Sequence, residues 1–131
     1  MKISRSAGYA LLAVAYIARY KQEKVVLSQT ISKEYDIPVE YLLKVLQQLA
    51  KANILLSKRG PYGGFSPARS PKNLSILQVI EAVDGPMVSH LDLAEQTHGS
   101  KLALKTEKLY EKALAQARSV FSKTKMASLL N

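Results

Sequence analysis

Residues 38–66, PVEYLLKVLQQLAKANILLSKRGPYGGFS, constrain the fold more than any other stretch. Leu42, Val45, Leu46 and Leu49 recur at the i, i+3, i+4, i+7 spacing of one helix face, while Glu40, Lys44, Gln47, Gln48 and Lys51 gather opposite. A helix is therefore expected from about Pro38 to Ala52, packed on one side and free on the other. Ile54 to Arg59 has strand character, Gly60-Pro61-Tyr62-Gly63 has turn chemistry, and Gly64 to Arg69 can return as the partner strand. Pro67 removes a ladder donor, which predicts that this second strand lies at an edge.

The flanking sequence completes a mainly helical pattern. From Ser4, a plausible N-cap, to about Tyr20 the apolar residues Leu11, Leu12, Val14, Ala15, Ile17 and Ala18 are dense enough for a mostly buried first helix. Ser28 is expected to cap a second helix ending near Tyr35, and Asp36-Ile37-Pro38 breaks it, because proline disfavours helix before it and suits the first turn after it. A short helix, a tight turn and an amphipathic helix form a helix-turn-helix, and the hairpin behind it is a wing. Leu74 to Val83 predicts a fourth helix, capped by Ser75 and ended at Asp84-Gly85-Pro86. Residues 87–100 are the least regular, and Lys101 to about Phe121 forms a long last helix with Leu102, Leu109, Ala113, Ala117, Val120 and Phe121 as an apolar set. That set either packs on a second subunit or folds back on the first helix; we expect the dimer.

Charge narrows the partner. Residues 1–72 carry 12 cations against 4 anions, 73–100 carry 4 anions and no Lys or Arg, and 101–131 carry 7 cations against 2 anions. A basic N-terminal half fits a module that binds a polyanion by displacing counterions from phosphates. A membrane surface fits less well, since no segment joins a Lys-rich face to a Trp/Phe-rich one. No run approaches the roughly 20 apolar residues of a membrane span, and we expect a cytoplasmic chain. The absence of cysteine excludes disulfides, thiolate metal sites and a cysteine nucleophile. Glycines at 60, 63 and 64 suit either a bare hairpin turn or a narrow tip whose backbone can approach a ligand. A phosphate-cradling loop is unsupported, because no Lys-Ser/Thr pair follows the last glycine.

The residues ISRSAGYALLAVAYIA at the start, Ile37-Pro38-Val39-Glu40-Tyr41-Leu42, RGPYGGF with Ala68-Arg69, Leu74-Ser75-Ile76, the run Val79 to Pro86 and Lys125-Met126-Ala127-Ser128-Leu129 occur in this order. Together they resemble the Rrf-type family of bacterial winged-helix transcriptional regulators. The combination of RGP-x-GG-[FY] with E-A-x-[DE]-G-P is specific, and the resemblance extends over most of the chain. It implies a winged helix-turn-helix over 1–84, an effector-type loop over 85–100, and a dimerisation helix with its tail over 101–131. The implied function is a dimeric repressor on a palindromic operator. Arg59 matches the wing arginine that enters the minor groove, and Tyr41 the tyrosine of the recognition helix. Base readout is expected from Val39, Glu40, Leu43, Lys44 and Gln47. Lys58, Tyr62, Gly63 and Gly64 around the wing tip, Ser28, and Ser4 with Arg5 complete the expected DNA-facing set.

The departures matter as much. Cluster-binding members carry three cysteines after the E-G-P turn, whereas MVSHLDLAEQTHGS here has none, and Gly8 stands near the position of an acidic ligand. No iron–sulfur cluster of that kind and no other cofactor is expected. His90, Asp92, Glu95 and His98 lack a recognisable metal-ligand spacing and suit a solvated polar loop. Leu43 and Lys44 replace other base-reading residues of the family, which implies a different operator. The expected partners are double-stranded DNA, a second copy of the chain, and a small-molecule or protein effector. A protein-interaction module docking a metabolic enzyme is the alternative. An enzyme is unsupported, as no nucleophile or oxyanion donor accompanies the histidines.

Overall fold

A computed structural model of the chain describes residues 3–19, 25–60, 64–89 and 91–130. The elements are α1 (Arg5–Arg19), α2 (Ser28–Tyr35), α3 (Val39–Lys51), β1 (Leu55–Lys58), β2 (Gly64–Pro67), α4 (Ile76–Asp84), α5 (Leu93–Gln96) and α6 (Lys101–Lys123), followed by a 3₁₀ turn, Met126–Leu129. The architecture is mainly helical with one small hairpin, a winged helix-turn-helix extended by a long helix, as the sequence implies. No helix among the described residues is long and apolar enough to cross a membrane.

The periodicity of α3 is realised residue by residue. Leu42, Val45, Leu46 and Leu49 are buried and meet Ile17 of α1, Ile31 of α2 and Ile80 of α4 in one hydrophobic cluster. Burying side chains of this size contributes about 1.5–3 kcal/mol each. α1 packs on α3, α4 and β2, and α6 packs on α4 and α5.

The turns that set the helix-turn-helix follow from local chemistry. Asp36 adopts a left-handed conformation (φ 54°, ψ 48°) after α2, and the amide of Ile37 donates to the Ser32 carbonyl at 3.0 Å. Pro38 then precedes the first residue of α3, and Asn53, at φ 60°, ends that helix while the Ile54 amide donates to the Leu49 carbonyl at 3.0 Å. Both ends use the left-handed residue that releases a chain from a helix.

One expectation needs correction. Ser28 is the first helical residue rather than the cap; Leu27 is the N-cap, and no side chain caps it among the described residues. The reason is upstream: Val26 is held in a bridge to Phe65, with both mutual N–H···O bonds at 2.8 Å, so the chain turns helical only after extended Leu27. β2 is an edge of the two-stranded sheet, as Pro67 implies, and meets Val26 on its outer side through the isolated bridge at Phe65. Pro67 sits beyond the bridge, opposite Leu55. Within the stretch 87–100 the one helical turn among the described residues is α5, where the Ala94 amide donates to Glu107 Oε1 at 2.6 Å.

Ser4 does cap α1, accepting from the Ala7 amide at 3.0 Å. Ser75 forms the expected cap of α4, with a reciprocal bond from its own amide to Gln78 Oε1 at 2.9 Å. After α6 the chain returns to the core. The Met126 amide donates to the Leu74 carbonyl at 2.7 Å, and the Met126 side chain is fully buried among residues of α1–α4.

Candidate nucleic-acid interface

The outer face of α3 starts the site. Its inward residues are used by the core, which leaves Val39, Glu40, Tyr41, Leu43, Lys44, Gln47, Gln48 and Lys51 exposed. Val39 and Leu43 are 38% and 37% exposed, so two branched apolar side chains stand among polar ones on a face the core does not need. On a helix entering a DNA major groove, such side chains meet thymine methyl groups while lysine and glutamine take base-edge or phosphate acceptors.

Among the described residues, three adjoining grooves surround this face. One, of about 470 Å³, is lined by Ser28 at the start of α2, Leu43 and Gln47 of α3, and Lys58, Arg59 and Gly64 of the wing. Six residues from three separated stretches of sequence thus share one concavity. Lys58 and Arg59 are exposed and form no ion pair with any described residue. Gly60 follows at φ 104°, a conformation that turns the chain at little cost only where a side chain is missing.

The second groove runs between the start of α1 and α3 and is lined by Ser6, Tyr41, Lys44, Gln47, Gln48 and Lys51. The third holds Ile3, Ser4, Arg5, Tyr9, Pro38 and Tyr41. Tyr41 therefore stands at their shared rim. Its ring meets Tyr9 edge to face, with centroids 5.6 Å apart and planes at 88°, and its hydroxyl is hydrogen-bonded to the Ser6 hydroxyl. Sequence reasoning missed Ser6, Tyr9, Gln48 and Lys51. For Gln48 and Lys51 the signal was present, since both lie on the polar face of α3; Ser6 and Tyr9 sit three residues apart on α1 and become informative only once α1 is seen against α3.

Gly64 has a different task from the one expected. At φ 151°, its position would bring a Cβ to 2.5 Å from the Val26 carbonyl oxygen and 2.6 Å from Val25 Cγ1. The close approach it permits is within the chain, although it also lines the wing groove. Tyr62 and Gly63, like His90, lie outside the described residues. Arg69 lies behind the interface, its guanidinium donating to the Ala52 carbonyl at the end of α3 at 3.5 Å.

The other expected surface splits in two. Leu102, Leu109 and Val120 are 74%, 68% and 62% exposed, and Ala113 is exposed with them. Their spacing of 7, 4 and 7 residues draws one stripe along α6. Phe121 instead packs against the core, and Ala117 is half-buried beside it. On α6 the inward face is carried by Ala103 and Leu114.

Residues 3–131 match the family described as Rrf2, iron-dependent transcriptional regulator. A relative from Aquifex aeolicus is 38% identical over 81 residues, which is 62% of this chain and 56% of that protein. The HTH-type transcriptional regulator IscR of Cereibacter sphaeroides is 25% identical over 135 residues, covering 99% of this chain and 87% of that one. In structure, CymR, the global cysteine regulator of B. subtilis, superposes with a TM-score of 0.82 at 22% identity, over 99% of this chain and 96% of that chain. Iron does not fit this chain's donor set as a cysteine-held centre would require. The sequence has no thiolate to offer, and among the described residues no three His, Asp or Glu side chains gather into a set able to hold a metal.

Proposed function

The chain belongs to the Rrf2 family of transcriptional regulators, DNA-binding proteins rather than enzymes, and from that premise we propose that it is a dimeric repressor of a palindromic operator. The observation that carries this reading is the groove in which Leu43 and Gln47 of α3 face Lys58 and Arg59 of the wing. With α3 in the major groove, Val39, Leu43, Lys44 and Gln47 read base edges, and Glu40 selects against acceptor-rich steps by accepting from cytosine N4. Arg59 enters the adjoining minor groove, where narrow A·T-rich sequence has enhanced negative potential. Lys58, Ser28, Arg5 and Tyr41 contact the flanking phosphates, which fix register without carrying sequence information, while Ser4, whose amide and hydroxyl both donate to Asp84, holds Arg5 in place.

The division of labour follows the same order along the chain. Residues 1–84 bind DNA, 85–100 receive the effector, and 101–131 join two subunits through Leu102, Leu109, Ala113 and Val120. Two copies related by a two-fold axis present two recognition helices to two half-sites. Repression follows from occlusion of a promoter. Control does not pass through a cysteine-held cluster, for which the chain has no ligands; a small molecule or a protein takes that role.

A titration of labelled duplex over a salt series tests the reading. Affinity is expected to fall steeply with salt, and Lys58→Ala to reduce the slope of log K against log salt by about one, as loss of one phosphate contact requires. Binding that does not depend on salt, or no binding at low salt, would overturn it.

A further inference from the structure

We propose that Asp84 is a positioning residue that ties the conformation of the 85–100 loop to the DNA-facing arm Ile3–Arg5. The proposal rests on the DNA-binding reading and extends it to control.

Asp84 is the last residue of α4, where a carboxylate meets the negative end of its own helix dipole. Its contacts are made elsewhere. It accepts the Ser4 amide at 3.2 Å through Oδ2 and the Ser4 hydroxyl proton through Oδ1. Ser4 Oγ in turn accepts from the Ala7 amide at 3.0 Å, so the carboxylate stands behind the cap of α1, at that helix's positive end. Fixing Ser4 also fixes Arg5. Arg5 is exposed and lines one groove with Tyr9, Pro38 and Tyr41, the residues that meet at the start of α3.

The other side of the same helical turn belongs to the loop. Gly85 follows Asp84 at φ 81° and turns the chain outward. One turn earlier, Glu81 accepts the Met87 amide at 2.7 Å and pairs with Arg118 of α6 at 3.5 Å. The end of α4 is thus fastened to the loop and α6 through Glu81, and to the DNA-facing arm through Asp84. A rearrangement of the loop that rotates this turn withdraws the carboxylate from Ser4 and releases the arm.

Simple electrostatics and positioning predict opposite signs. Removing a carboxylate near phosphates would tighten DNA binding if charge alone mattered. Positioning requires Asp84→Ala to weaken it, by about fivefold, the size that losing one helix cap carries. Arg5→Ala and Asp84→Ala together should weaken binding no more than Arg5→Ala alone, because both remove the same contact. Hydrogen exchange without DNA gives the independent arm. In Asp84→Ala and Ser4→Ala, amides in the first turn of α1 should exchange faster while those of α3 keep their protection.

Unaltered or tighter DNA binding by Asp84→Ala, or a first turn of α1 as protected as in the unaltered chain, would overturn the link. Additive losses in the double variant would also overturn it. Failure of the unaltered chain to bind any DNA would instead overturn the DNA reading, and the proposal with it.

Discussion

A Cβ on Gly64 would stand 2.5 Å from the carbonyl oxygen of Val26, so the second wing strand and the segment entering α2 are fitted together through a residue without a side chain. The paired Val26 and Phe65 amides then anchor the wing to the helix-turn-helix. Gly64→Ala must shift that pairing and also hold alanine at a positive φ. It is expected to cost about 1–3 kcal/mol from backbone strain, before any cost of the clash. Thermal unfolding checks this, and a Tm equal to that of the unaltered chain would contradict the fit.

Met126 lies beyond the long helix yet is fully buried in the core built by α1–α4. Met126→Ala is therefore expected to destabilise the whole winged-helix unit by about 2–5 kcal/mol, as a large-to-small change in a close-packed interior does. Denaturant unfolding followed by circular dichroism measures it. A loss confined to a few tenths of a kcal/mol would mean that the tail is merely draped on the surface.

Arg59 is exposed at the end of β1, beside the groove that also holds Leu43 and Gln47. Arg59→Ala is expected to weaken operator binding by about 1–3 kcal/mol and to reduce the preference for A·T pairs beneath the wing. Competition between duplexes that differ only at those pairs separates the two effects. Unchanged affinity and preference would remove Arg59 from the minor groove.

Leu109 is 68% exposed at the middle of the α6 stripe. Leu109→Glu leaves the monomer's core untouched and is expected to shift sedimentation from dimer to monomer at micromolar concentration, with little change in helix content. Because each subunit then meets one half-site alone, operator affinity should fall with dimerisation. A dimer that withstands the charge would move the interface to another face.

Local pattern carried much of this architecture. The spacing of Leu42, Val45, Leu46 and Leu49 identified the buried face of α3, and Ser75 gave a legible cap for α4, because both signals are local in sequence. Ser28 misled for the opposite reason. Its place in the helix is decided by Val26 pairing with Phe65, 39 residues further along the chain, which no local propensity contains.

The α6 set shows a third case. Leu102, Leu109, Ala113, Ala117, Val120 and Phe121 form an apolar set by composition, but composition does not say which side of the helix meets α4. Phe121 turns inward and Leu102, Leu109 and Val120 turn outward only once α4 is placed against them. Most of the proposed DNA-facing set lies on α3, whose single polar face is legible in the sequence; the place of Ser6 and Tyr9 beside it required the contact of α1 with Tyr41.

Selection of bound duplexes from a random DNA pool at fixed salt separates operator recognition from general affinity for phosphates. Enrichment of an inverted repeat is expected, with half-sites spaced by about 34–36 Å or a multiple of it and A·T pairs where the wings fall. Recovery of sequences with no shared pattern, at an affinity equal to that for the starting pool, would contradict it.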